Sequence, residues 1–286
     1  VRIFNLTEAQ HFFAGRRGFT AATSVRAYIA GLSKTPTAFE EASPEFPFLR
    51  SYFARDANRY LLLGASNLWR GADMLAVAAA PWAHVSMYYA SFFFASATLL
   101  MLGAHTDGSS FVIDVAASAP KSQALEVHRR ANKVQVVPGG GPHRAFWKLF
   151  YKATPSLHPL LTPALQAVLQ PVSGDEEWMI ARRNEINYEA DKAFEVMQDF
   201  FASFQLKSFD PKNIKGSLTG PLATQFGLAV GMADLAFFVA KSVGLDSEGL
   251  QGLGKRSPTR KQLLNRFVVK VRPTRGSRYL PSGAVA

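Results

Sequence analysis

From Met74 to Thr106 the chain carries no Asp, Glu, Lys or Arg. A run of that length either crosses a bilayer core of about 30 Å or lies buried in protein. Pro81, His84 and several serines interrupt it, and no aromatic belt or basic flank marks its ends. These features favour a core helix, apolar on every face because other helices surround it. Its small residues Ala90, Ser91, Ala95 and Ala97 permit close helix approach, and Gly103 supplies a C-terminal stop. A chain centred on such an element is expected to be all-α.

The other elements arrange themselves around this helix. Residues 1–50 read as short helices broken by turns, ending in the proline-bearing Glu41–Pro47 segment. The spacing predicts a helix from about Ser51 to Ala79, with Tyr60, Leu61, Leu68 and Leu75 on its apolar side. Pro81 stops or kinks it, and the core helix follows from about Trp82 to Leu102. Between residues 104 and 145, the β-branched runs Phe111–Val115 and Lys133–Val137 and the Pro138–Pro142 loop predict an insertion with a small hairpin. Helix resumes near Ala145, pauses at Thr154-Pro155 and Pro171–Gly174, and runs on from about Asp175 to Leu206. There Ile186, Ala190, Ala193, Met197, Phe200 and Phe204 recur at helical spacing, with Phe194 and Phe201 widening the stripe. Asp210-Pro211 breaks the chain, and a further apolar helix spans about Leu222 to Val243. The expected architecture is an N-terminal helical segment (1–50), an antiparallel helical bundle (51–206, with the 104–145 insertion), and a C-terminal helix with a basic extension (207–286).

A hydrophobic fraction of 48% and a charged fraction of 19% exclude wholesale disorder and allow an ample core. The absence of cysteine excludes disulfides, thiolate zinc sites and cysteine nucleophiles. None of the six histidines has another at i, i+4, so no metal or other cofactor is expected. Gly139-Gly140-Gly141 lacks the Gly-Lys-Ser/Thr of a phosphate loop, and Ser118-Ala119-Pro120-Lys121 is interrupted by its proline. Val1–Leu6 shows no basic-then-apolar leader, which together with the missing cysteines fits a cytoplasmic protein.

The net charge of +11 is unevenly placed. Residues 249–286 hold Lys255, Arg256, Arg260, Lys261, Arg266, Lys270, Arg272, Arg275 and Arg278 with no acid, leaving 23 basic against 21 acidic residues elsewhere. Alternation from Arg266 to Arg272 predicts an extended strand with a charged edge, and Lys255–Lys261 a flexible phosphate-binding segment. Lys255, Arg256, Arg260, Lys261, Arg266, Lys270 and Arg272 are thus candidate nucleic-acid contacts. A merely solvated tail, an acidic subunit or an anionic lipid would use the same charges.

The segment Trp178–Tyr188 carries the remaining signal. At helical pitch Tyr188 lies opposite Ile186, on the side of Asn184, Asp191 and Glu195, with Arg183 at the flank of the apolar stripe. A solvated face with a snorkelling arginine accounts for that pattern on its own terms. Arg183-Asn184-x-x-x-Tyr188 also resembles the signature of the HEPN superfamily: arginine, a polar residue, three more residues, then histidine, on the last helix of a four-helix bundle. Ser86-Met87-Tyr88-Tyr89-Ala90-x-Phe92-Phe93-x-Ala95-x-Ala97-x-Leu99-Leu100-x-Leu102-Gly103 is similar to the aromatic and alanine-rich core helix of prokaryotic members. The resemblance covers residues 51–206.

The resemblance implies an HEPN-like bundle that often dimerises, bringing two motif helices together across a cleft. Many such proteins cut RNA without metal as toxins or antiviral effectors; others bind or assemble. Arg183, Asn184 and Tyr188 then become the candidate catalytic residues, with the arginine on phosphate charge and Tyr188 where the family has its proton-handling histidine. An imidazole near pKa 6.5 exchanges protons at neutral pH and a phenol near 10 does so poorly, although a phenol still hydrogen-bonds phosphate or stacks on a base. His84, His128 and His143 are the candidates for a replacement base. The expected function is RNA binding, extending to metal-independent endoribonuclease activity if that base is replaced, in a prokaryotic defence or toxin setting. Partners would be RNA or another nucleic acid, a second copy or hetero-assembly, and an antitoxin or effector. The rival expectation is a non-catalytic assembly module with a nucleic-acid-contacting tail; a third is a membrane-associated protein anchored through residues 74–106.

Overall fold

In this computed structural model the described residues are 2–14, 24–32, 38–106, 111–116, 124–129, 142–203 and 220–245. Along them run α1 (Leu6–Ala14), α2 (Val25–Gly31), β1 (Ala38–Glu40), α3 (Phe46–Ala76), α4 (Ala80–Met101), β2 (His105–Thr106), β3 (Phe111–Val115), β4 (Ala124–Arg129) and α5 (Pro142–Ala153). A 3-10 turn over Thr154–Leu160 leads to α6 (Pro163–Ala167), α7 (Trp178–Tyr188), α8 (Ala190–Ser203) and α9 (Gly220–Ser242). The described part is therefore mainly helical with one small antiparallel sheet. It packs as two compact units, the first drawn from described residues within 1–60, 95–160 and 236–245, the second from those within 61–94 and 161–235.

In the first unit an aromatic cluster holds α1 against the start of α3. The Phe12 ring meets Phe4, Phe46 and Phe53 at centroid distances of 5.2, 5.5 and 6.1 Å, all four buried. The Arg50 guanidinium lies 4.7 Å from the Phe46 centroid and pairs with Glu41 at 2.7 Å, so its charge is met where it enters the core. The sheet has the order β1-β4-β3-β2, with Phe39 opposite Leu125 and Ile113 opposite Val127. The N-terminal segment joins it: Phe4 donates to the Leu102 carbonyl and Val115 donates to the Arg2 carbonyl, at 2.9 and 3.1 Å.

In the second unit glycine sets the spacing between α3 and α4. A Cβ on Gly64 would stand 2.9 Å from the Phe94 ring, and one on Gly71 would stand 2.7 Å from Met87 Cε. The two glycines sit seven residues apart, on one face of α3, and admit an aromatic ring and a methionine from the antiparallel neighbour. On the α4 side Ala90 and Ser91 are fully buried, as expected of small residues at a close crossing.

Several boundaries differ from the sequence expectation. α3 begins at Phe46 rather than Ser51, because Pro47 occupies the first helical turn, where its missing N–H is no loss. Its end is set by Ala78 at φ 57, with Ala79 donating to the Met74 carbonyl; Pro81 lies in the first turn of α4 and starts that helix instead of stopping α3. Gly103, at φ 80, does terminate α4. The single helix expected from Asp175 to Leu206 is two, because Glu189 adopts φ −117, ψ 103 while closing α7. That extended residue re-phases the stripe: Ile186, Val196 and Phe200 are buried, whereas Ala190 and Phe194 are exposed. β3 stands where expected, but its partner is Ala124–Arg129, and the Lys133–Val137 run lies outside the described residues.

The charge-free stretch is divided between the end of α3, the turn and α4, whose residues are largely buried. Among the described residues, the helix long and apolar enough to cross a membrane is α9, and 72% of that span is buried.

Candidate functional site

The chain enters α7 through a tight turn. Ser173 and Gly174 both take positive φ (52° and 76°), as a two-residue reversal requires, and Asp175 donates to the Val172 carbonyl at 2.9 Å. The Asp175 carboxylate then accepts the Glu177 N–H at 2.8 Å and satisfies one of the donors ahead of the helix.

On α7 two adjacent arginines diverge. Arg182 turns along its own helix to Glu185, with Nη1 2.7 Å from Oε2. Arg183 turns to α4, where its guanidinium carbon sits 5.3 Å from the Tyr88 centroid and 5.9 Å from that of Tyr89. The two rings are edge to face at 5.3 Å, so they offer the cation two differently inclined π-faces. Arg183 is half-buried, and its Nε is enclosed without a hydrogen-bond partner among the described residues. Asn184 is exposed, and Tyr188 is 79% exposed. Five positions separate Arg183 from Tyr188, about 140° around the helix at 3.6 residues per turn. The guanidinium therefore meets α4 while the phenol stands in solvent.

His84 lies on α4, one turn before Tyr88, and is fully buried. Among the described residues, neither ring nitrogen finds a hydrogen-bond partner in another residue. Burial lowers its pKa to about 4, the Arg182 charge acts in the same direction, and a bond with its own backbone opposes both. The imidazole is consequently neutral at neutral pH. Further along α4, Ser91 Oγ accepts from Gln225 Nε2 of α9 at 3.3 Å, and Met179 of α7 lies 3.9 Å from the same nitrogen. Gln225 Oε1 is likewise buried without a partner among the described residues. Tyr88 and Tyr89 had no place in the sequence-level site; they were read only as part of the aromatic core helix, and no local signal ties them to an arginine about 95 positions later.

Of the other expected bases, His143 is half-buried on α5 in the first unit, and the side chain of His128 lies outside the described residues. The tail residues Lys255, Arg256, Arg260, Lys261, Arg266, Lys270 and Arg272 lie outside them as well. Compared as a whole, the chain matches no protein-family model, no curated protein and no solved structure.

Proposed function

We propose that this chain is an RNA-binding protein built on an HEPN-like helical bundle, contacting RNA through Arg183, Asn184 and Tyr188 of α7. The observation that carries this reading is the half-buried Arg183 guanidinium held against the Tyr88 and Tyr89 rings. Ring faces hold a guanidinium in place without consuming its terminal Nη donors, as an ion pair with a carboxylate would. The exposed amide of Asn184 and phenol of Tyr188 supply hydrogen bonds and a stacking face suited to unpaired bases. The basic C-terminal residues add phosphate neutralisation. The prokaryotic defence or toxin setting comes from the family resemblance.

Cleavage without metal needs a proton-accepting group within hydrogen-bond reach of the attacking hydroxyl. Of the candidate bases, His84 has no exposed surface from which to serve. The test is the affinity of the full chain for a mixed-sequence single-stranded RNA. Arg183→Ala should weaken binding about tenfold or more while the helical circular dichroism stays unchanged. Equal affinity for the two proteins would remove α7 from the contact, and RNA cut by the wild type but not by the variant would make the protein a nuclease.

A second reading, an assembly module, is favoured by the exposure of Tyr188 at 79% and Phe194 at 52% on consecutive helices. In that case Tyr188→Ala and Phe194→Ala change the oligomeric mass and leave RNA affinity untouched.

A further inference from the structure

We propose that Gln225 of α9 is a positioning residue for Arg183: its Oε1 takes the Arg183 Nε–H through one enclosed water and turns the terminal nitrogens outward. Gln225 is fully buried. The Ser91 hydroxyl donates to the Met87 carbonyl at 3.0 Å, so its one hydrogen is spent within α4. Toward Gln225 that oxygen can only accept, which makes the amide nitrogen, at 3.3 Å, the group that faces it. The same nitrogen lies 3.9 Å from Met179 Sδ, another acceptor. The amide is thereby fixed in one orientation, and Oε1 is left enclosed with no donor among the described residues.

The donor that matches it is Arg183 Nε, enclosed and equally unpartnered among the described residues. Two pairs of neighbours bring these atoms together. On α7, Arg183 follows Met179 by four residues, about 40° around the helix and about 6 Å along it. A long helical side chain leans toward the N-terminus, so that of Arg183 lies over the turn that carries Met179. On α4, Tyr88 and Ser91 are three residues apart and adjoin on the helix surface. Arg183 rests on the first and Gln225 on the second. His84 stands seven residues before Ser91, about 10 Å along the axis, which one water does not span. All of these residues belong to the second unit. Buried polar groups are met by a neighbour or an ordered water, and a water that accepts from Nε and donates to Oε1 meets both. With Nε held inward and the guanidinium against the Tyr88 ring, Arg183 presents its Nη1–Nη2 edge, an end-on fit for two oxygens of one phosphate. That consequence rests on the RNA-binding role of Arg183.

The experiment records the Arg183 Nε–H signal by NMR in the isotope-labelled full chain, with Arg183→Ala to assign it. The wild type should show this signal at neutral pH, protected from exchange with water. Gln225→Glu keeps an oxygen acceptor and should keep the signal. Gln225→Met, close in volume but without an acceptor, should lose it. A Gln225 that only fills space predicts the reverse order, since methionine is then tolerated and a buried carboxylate is not. For mixed-sequence single-stranded RNA, Gln225→Met should weaken binding about fivefold in the wild type and leave it unchanged beside Arg183→Ala. A methionine variant that keeps the protected signal overturns the proposal, and so does an equal loss of affinity on both backgrounds. If Gln225→Met fails to fold, the wild type alone decides: an Nε–H that exchanges as fast as those of exposed arginines overturns the proposal. If Arg183→Ala leaves RNA affinity unchanged, the RNA reading falls, and the Nε–H signal still decides the role of Gln225.

Discussion

The carboxylate of Asp56 in α3 accepts the backbone N–H of Val25, the first residue of α2, at 2.8 Å. Together with Ser24 Oγ, which accepts the Ala27 N–H at 3.1 Å, it satisfies two of the donors at that helix start. Burial raises the Asp56 pKa, against the lowering effects of the Val25 hydrogen bond and the Arg55 and Arg59 charges. The folded state therefore holds the proton more tightly, and the group's contribution to stability falls as pH rises through the raised value. Asp56→Asn keeps an oxygen for Val25 and removes the buried charge, so its urea midpoint at pH 7 should equal or exceed that of the wild type. Asp56→Ala leaves a buried donor unmet and should lose about 1–3 kcal/mol.

His84 gives the opposite pH signature. Its pKa is about 4 in the fold against an ordinary 6.5, so the unfolded chain binds the proton first as pH falls. The sign follows: stability from this residue is complete above pH 6.5 and declines toward pH 4, by roughly 3 kcal/mol in all. His84→Leu leaves no ring nitrogen to desolvate and should flatten that decline. Urea unfolding at pH 5 and pH 7.5 measures it; equal pH dependence in both proteins would show that another group titrates.

The same C-terminal stop closes three helices. Gly103 donates to Leu100 and Ala104 to Leu99, Gly244 to Lys241 and Leu245 to Ala240, and Ala78 to Leu75 and Ala79 to Met74. Two of these stops put glycine in the left-handed position, whereas Ala78 occupies it at φ 57. A β-carbon there costs about 1–2 kcal/mol, offset in part by the extra freedom glycine has when unfolded. Ala78→Gly should raise Tm by about 2 °C in a thermal melt. The reverse change, Gly103→Ala, should lower it, since the new Cβ also falls 2.5 Å from the Phe4 ring.

Tyr188→His installs the imidazole of the HEPN signature that the Arg183-Asn184-x-x-x-Tyr188 string resembles. At 79% exposure the change should leave stability within about 0.5 kcal/mol. RNA should remain intact on a gel, because the ring would stand about 140° around α7 from Arg183. Cleavage by this variant would show that the two residues converge on bound RNA after all.

Much of the helical scaffold was legible because periodicity survives local detail. Leu61, Leu68 and Leu75 are buried where the spacing put them, α4 and α9 lie within two residues of their expected ends, and Gly103 stops α4. Other features depend on distant partners. β1 has only three residues and gains its identity from β4, and β4 carries Glu126 and Arg129, which hide its alternation. Nothing in Asn187-Tyr188-Glu189-Ala190 announces the extended residue between α7 and α8, since it contains neither glycine nor proline. The arginine motif could be read as a string, but its aromatic seat on α4 could not, because that contact joins residues almost a hundred positions apart.

The order of strands in the sheet also has a consequence for synthesis. Ala38 of β1 pairs with Glu126 of β4, eighty-eight residues later, and Arg2 bonds Val115 at a longer interval still. At about 5–20 residues per second, β1 leaves the ribosome roughly 4–18 s before its partner exists. During that interval its backbone donors and acceptors have only water to meet them, while β3 and β4 arrive within seconds of each other. The nascent chain must therefore finish the hairpin before the edge strand can close on it, and the earliest-made part of the first unit is among the last to find its place.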